Sequence, residues 1–263
     1  FLNFVSKNFT QFLFFAFILR IPVRGKSVFS FGKTMHATLY QFLKQANETG
    51  KAKQENLFGF EGEPAFANAS AGLVDLDFLV KIYEKNWIDE WYDNKKQKED
   101  YYSLGKKIIK EFYGEFSNPQ AGGPPKILRI NDELALELPF NLKIGPHTIR
   151  GQIDRIDEVN GGAVIIDYKT GKAKEKKDLD KDQLLIYQIA AEEVLGIKPK
   201  ELIYYYLEDN IKASFLGSEK DKEKIKEKIL QEIEDIKNSN FTATPGWQCS
   251  FCDFRDICDF AER

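Results

Sequence analysis

Two acidic residues and a lysine carry the chemistry most plainly: Asp154 in GQIDRIDE, Asp167 at the end of VIIDYK, and Lys169 two residues beyond. Alternate residues of a strand share a face, so Asp167 and Lys169 point the same way, whereas Asp154 and Asp157 do not. Asn160-Gly161-Gly162 is a turn signal that folds the two flanking apolar runs into a hairpin. Asp154 and Asp167 have similar offsets from that turn, which brings both carboxylates to one sheet end beside the Lys169 ammonium. Like charges set side by side are unfavourable unless a cation neutralises them. Oxygen ligands suit Mg²⁺ or Mn²⁺. Such an ion activates water and stabilises charge on a phosphoryl oxygen, while a neighbouring lysine orients the nucleophile or offsets developing charge. Phosphodiester hydrolysis is the reaction these parts serve. Taken alone, D-x-K at a strand end reads as a solvated turn; here Val164-Ile165-Ile166 marks a buried strand, so Asp167 emerges from a core.

The elements that must position these groups follow from periodicity. Ile127–Ile130, Leu134–Ile144, Thr148–Glu158, Ala163–Tyr168 and Leu202–Leu207 read as strands. Lys181–Leu195 reads as an amphipathic helix stopped by Gly196, and Glu219–Lys237 as a charged helix. On the first of these, Gln183 and Tyr187 lie four apart on one face, near the same sheet end; as an isolated pair they carry no message. Upstream, Phe31–Lys44 recurs with helical spacing, and Leu73–Phe116 is helical with Trp87, Trp91, Tyr101 and Tyr102 as packing anchors. Residues 48–72, rich in Gly, Ala, Asn and Glu, read as a mobile insertion. The expected architecture is α/β: a central mixed sheet flanked by helices, preceded by an N-terminal helical region. A single domain spans 1–263, with a mainly helical part at 1–125, an α/β core at 126–240 and a cysteine-containing tail at 241–263.

Composition narrows the class without deciding it. Apolar residues at 43% and charged residues at 30% suit a chain that folds around a core. A net charge of −3 shows no global positive field, so a polyanionic partner needs a local basic groove or bound cations. The apolar stretch Phe9–Leu19 is shorter than the ~20 residues of a bilayer span and lacks a signal-cleavage pattern. It reads as a buried helix, with Phe12, Phe14 and Phe17 in the core, and the protein as soluble, cytoplasmic and free of membrane contact. The first residue is Phe rather than Met, which reads as a piece of a longer chain. Lys172, Lys174, Lys176 and Lys177 after Lys169 suit a solvated loop or a phosphate track. His147 reads as a turn residue, and Glu137 as a residue of a solvated strand face or as support for the site.

The three cysteines fall within ten residues as C-x2-C-x5-C: Cys249, Cys252 and Cys258. An odd, clustered set argues against a disulfide framework. It suits an iron–sulfur cluster, zinc with a further ligand, or reduced buried thiols.

The run GQIDRIDEVNGGAVIIDYKTGK, followed by QLLIY, resembles the PD-(D/E)XK nuclease superfamily in its RecB-type, Cas4-like branch. The resemblance implies a restriction-endonuclease-like core. It makes Asp154 and Asp167 metal ligands and Lys169 the catalytic lysine, with Gln183 and Tyr187 supporting the site and contacting nucleic acid. SFGKTMHATL matches the family's upstream helix, which makes His36 a further metal ligand and fits a taste for Mn²⁺; on its own, one histidine on a helix reads as structural. The same branch often uses C-terminal cysteines to hold a [4Fe–4S] cluster with a fourth, upstream cysteine. Here Phe9, Thr10 and Gln11 stand where that residue is expected, so the fourth ligand is not identified. The resemblance further implies an exonuclease on single-stranded or end-exposed DNA, working in repair or end processing, fused to or associated with a helicase. The rival readings are a catalytically silent DNA-binding or scaffold module and a structural iron–sulfur or zinc protein.

Overall fold

The structure is a computed structural model that describes residues 20, 25–57, 74–121, 123–175 and 178–262. The apolar stretch at 9–19, part of the expected insertion (58–73), and Lys176 and Lys177 lie outside the described residues. Its elements run α1 (Ser27–Leu57), α2 (Leu76–Asn86), α3 (Lys95–Ser117), β1 (Arg129–Ile130), β2 (Glu133–Leu134), β3 (Leu136–Ile144), β4 (His147–Val159), β5 (Gly162–Lys169), α4 (Asp182–Glu193), β6 (Pro199–Tyr206), β7 (Ile211–Phe215) and α5 (Glu219–Lys237).

A five-stranded sheet in the order β3-β4-β5-β6-β7 forms the middle layer. Every pairing is antiparallel except β5 with β6, where α4 makes the crossover that a parallel pair requires. The mixed α/β sheet flanked by helices is the architecture expected from the sequence. Along β5 the side chains alternate between two cores. Ala163 and Ile165 face α4 and α5, and Ile166 and Tyr168 face α1 and α3. The second core is closed by Phe31, Met35, Leu39, Phe42 and Leu43, a stripe at helical spacing that lays α1 against the sheet.

Several boundaries differ from expectation. Helix α1 continues through residues 48–57, where an insertion was expected; Lys, Gln, Ala and Glu are good helix formers, and one Gly50 costs only ~1 kcal/mol. Leu73–Phe116 is two helices rather than one. Asp75 caps α2 by accepting from Phe78 N–H at 2.8 Å, and Asn94 caps α3 by accepting from Gln97 N–H at 2.9 Å. Between them, residues 87–94 form a loop. Helix α4 is not amphipathic: Leu184 through Ala191 are all buried, because the β3–β4 arm runs past the end of β5 and adds Phe140, Leu142 and Ile144 to the core that α4 shares with the sheet and α5. Gly196 follows it at φ 65°, the left-handed conformation that ends helices at low cost. Strand β7 escaped the sequence reading because it is a short, half-exposed edge whose polar residues carry no alternation. No helix among the described residues is long and apolar enough to cross a membrane.

Ile165 is fully buried in the central strand. Ile165→Ala is expected to lower unfolding stability by about 2–5 kcal/mol in a urea titration, whereas the same change at exposed Val159 stays within about 0.5 kcal/mol.

Candidate metal centre

Strand register assembles the acidic cluster. Arg155 pairs with Ile166, so the next step along the β4–β5 ladder sets Asp154 opposite Asp167. Glu137 falls between the pairs Leu136↔Arg155 and Leu138↔Ile153, which sets it opposite Asp154 from the other side. Three carboxyl-bearing residues thus cross three adjacent strands in a row. Glu137 adopts φ 48°, a left-handed conformation that a non-glycine residue holds only when its surroundings impose it. The sequence left that residue between a solvated strand face and support for the site; in the structure it joins the cluster.

Helix α1 supplies the fourth member. His36, Glu137 and Asp154 each offer a ligand atom, and these atoms lie within 4.8 Å of one another, a group that could hold a metal ion. The backbone orients the imidazole: its Nε2 donates to the Tyr168 carbonyl at 3.2 Å. In the neutral ring this leaves the Nδ1 lone pair facing Glu137 Oε1 at 3.5 Å and Asp154 Oδ2 at 3.6 Å. The donor set, one imidazole and several carboxylates, matches a divalent cation with mixed nitrogen and oxygen preference.

The electrostatics show that the arrangement is uncomfortable as it stands. Burial raises the Asp154 carboxyl, Asp167 raises it further, and together they carry it to about 7 against the pull of His36 and the Tyr168 N–H. Burial also raises Asp167, although Lys169 pulls the other way. For His36, burial disfavours the cation, but the Glu137 hydrogen bond and the Asp154 carboxylate outweigh it and hold the ring up at about 9. Protons therefore do here what a metal ion held by His36, Glu137 and Asp154 would do better, and such an ion would compete with them.

Lys169 closes the cluster. Its Nζ lies 2.6 Å from Asp167 Oδ2, yet that oxygen has no aligned hydrogen bond, so the pair is a contact of charges. The ammonium donates instead to Gln183 Oε1 at 2.7 Å, and Gln183 Nε2 donates to Tyr187 Oη at 2.8 Å. Tyr187 is held edge-on by Phe140, with ring centroids 5.8 Å apart. Asp154 Oδ2 accepts the Tyr168 N–H at 2.8 Å. The structure thus brings together His36, Asp154, Asp167, Lys169, Gln183 and Tyr187.

Other residues stand apart. Asp157 lies on the opposite sheet face, where it takes a bidentate ion pair from Arg155, whose Nη1 also donates to Tyr168 Oη at 3.0 Å. His147 opens β4 at the surface, 3.4 Å from Lys237 Nζ. Lys172 and Lys174 are exposed in the loop after β5. Cys249, Cys252 and Cys258 are half-buried free thiols in and beside two short 3₁₀ turns, Trp247–Phe251 and Arg255–Ile257. Trp91, expected to be a packing anchor, is 42% exposed: with φ 65° it turns away from the core that takes Trp87.

The chain is 29% identical over 131 residues to the Gene 69 protein of Mycobacterium phage L5, an alignment covering 47% of this chain and 44% of the phage protein. Among solved structures, SSO0001 is similar at 18% identity, covering 88% of this chain and 94% of that one with a TM-score of 0.35. VC1899 from Vibrio cholerae is similar at 14% identity, covering 81% and 58%, with a TM-score of 0.21. The match to a family is broader than any of these, since it takes in residues 11–259 and with them both helical layers, the sheet and the cysteine tail. On that extent, and with a mixed sheet that fits a restriction-endonuclease-like core, the chain belongs to the PD-(D/E)XK nuclease superfamily.

Proposed function

We propose that the chain is a metal-dependent DNA nuclease of the RecB-type, Cas4-like branch, acting on single-stranded or end-exposed DNA in repair or end processing. The observation that carries this reading is the joint approach of His36, Glu137 and Asp154, with the Asp167–Lys169 pair beside them. His36, Asp154 and Asp167 would hold Mg²⁺ or Mn²⁺, with Glu137 as a further ligand. When bound, such an ion supplies a Lewis acid and a lowered pKa for coordinated water. Lys169 is the cation placed beside the candidate ligands to answer charge that develops on a phosphoryl oxygen, and Gln183, braced by Tyr187, aims it. Exposed Lys172 and Lys174 extend positive charge along the strand end, which suits backbone contacts without base reading. A fused or associated helicase, and action in the cytoplasm, belong to the same reading.

The tail is proposed to hold an iron–sulfur cluster through Cys249, Cys252 and Cys258. Burial raises the Cys252 thiol, and Cys258 and Cys249 act on it in the same sense, as neighbouring thiols would. Lys26 Nζ meets Asp253 Oδ1 at 3.0 Å, which ties the tail to the foot of α1. Cys249, Cys252 and Cys258 would supply three of the cluster's ligands.

Three measurements test these assignments. Linear single- and double-stranded DNA should be cut with Mn²⁺ and left intact in EDTA. Asp154→Ala and Lys169→Ala should each slow cutting by about a hundred-fold or more; full-rate cutting by either variant would remove the assignment. Mn²⁺ at a hundred times its dissociation constant should stabilise the fold by about 2.7 kcal/mol, and Asp154→Asn should abolish that gain without loss of stability in EDTA. Anaerobically purified protein should contain iron and acid-labile sulfide that disappear together in Cys252→Ser. Iron-free protein with unchanged cutting would retire the cluster.

A further inference from the structure

We propose that Trp91, with Phe29 and Lys33, forms a stacking site for an unpaired nucleobase of the strand that enters the metal centre, an inference that rests on the nuclease reading above. A groove of about 580 Å³ runs beside the cluster, and His36 and Glu137 line it together with Phe29, Gly32, Lys33 and Trp91. The groove therefore opens directly onto two of the candidate ligands. Phe29, Gly32, Lys33 and His36 follow one another along a single face of α1. Phe29 lies seven residues before His36, about 10 Å along the helix axis, so the aromatic end sits a short step from the cluster.

Trp91 is built to face outward. Its loop is fastened to α1 just before it: Ser30 Oγ donates to the Glu90 carbonyl at 2.7 Å, and Thr34 Oγ1 accepts the Ile88 N–H at 3.1 Å. Ser30 and Thr34 are both fully buried. The next residue, Tyr92, stacks on Trp87 with centroids 5.4 Å apart. Between these anchors Trp91 alone adopts φ 65°, a costly conformation for a bulky side chain, and leaves its indole 42% exposed. The ring also rests on the chain at Gly25, where a Cβ would stand 1.8 Å from it, so the ring is backed by the chain there. Phe29 is 47% exposed in the same groove. Lys33 Nζ lies over the Trp91 ring, 5.3 Å from its centre, so a stacking base would take its place on the ring and move this flexible ammonium toward the flanking phosphate. Aromatic faces beside positive charge accept any base, so the site favours single strands without selecting sequence.

The test measures binding in EDTA of an oligothymidylate and of an abasic oligonucleotide of the same length and charge, alongside cutting in Mn²⁺. Wild-type protein should prefer the oligothymidylate by about ten-fold. Trp91→Ala should erase that preference and Trp91→Phe should keep most of it. Lys33→Ala should weaken both ligands alike and reduce the salt slope by about one. The proposal is overturned if Trp91→Ala retains the preference, or if it loses both ligands together with thermal stability, which would make Trp91 a structural contact. Cutting by a wild-type protein that shows no preference for bases also overturns it and leaves the nuclease reading standing. A base preference that Trp91→Ala erases, in a protein that cuts no DNA, supports the site and removes the nuclease reading instead.

Discussion

Two carboxyl groups buried side by side set the terms for everything around them. Asp154 and Asp167 face each other across one strand pair with almost no access to water, and burial pushes both toward their neutral forms. A fold gains nothing from that juxtaposition by itself. The chain answers it locally with a backbone N–H on Asp154, an ammonium on Asp167 and an imidazole between Asp154 and Glu137. The first two come from β5 and the third from α1, so helix and strand are bound to their places by the cluster as much as the cluster is by them.

The layered architecture explains how such distant residues meet. His36 arrives because the Phe31, Met35 and Leu39 stripe fixes the rotation of α1 on the sheet. Gln183 and Tyr187 arrive from the opposite layer, on a helix so enclosed that its register cannot drift. The two layers meet at the carboxyl end of β5, next to the parallel β5–β6 pair, where the crossover leaves the sheet end open. Open α/β sheets place their ligands at that kind of position for the same reason.

Much of this was readable before any coordinates. The Asn160–Gly162 turn, the equal offsets of Asp154 and Asp167, and the two-residue step to Lys169 are local facts of strand geometry. Helical spacing puts Gln183 and Tyr187 on one face, but it was the family resemblance that tied the pair to the site. Glu137 was not legible in the same way, because its role depends on the β3–β4 register and on an unusual backbone angle that its residue type does not announce. Trp91 escaped for a similar reason: composition calls a tryptophan a core residue, and only the loop anchored by Ser30 and Thr34 turns it outward. The burial of α4 was a tertiary outcome that overrides local composition, whereas α1 runs on to Leu57 through good helix formers that Gly50 and its polar neighbours disguise as a loop.

Tyr168, the unnamed middle of the D-x-K tripeptide, holds the cluster chiefly through its peptide groups: its N–H holds Asp154 and its carbonyl holds His36, while its ring meets the imidazole edge-on with centroids 6.1 Å apart. Its phenol belongs to the far side of the sheet, with Arg155. The two peptide contacts do not depend on the side chain, whereas the edge contact with His36 and the bond to Arg155 do. A one-residue insertion or deletion in the hairpin cannot be absorbed easily, because it would shift both peptide contacts in the same step and invert every side chain of the strand.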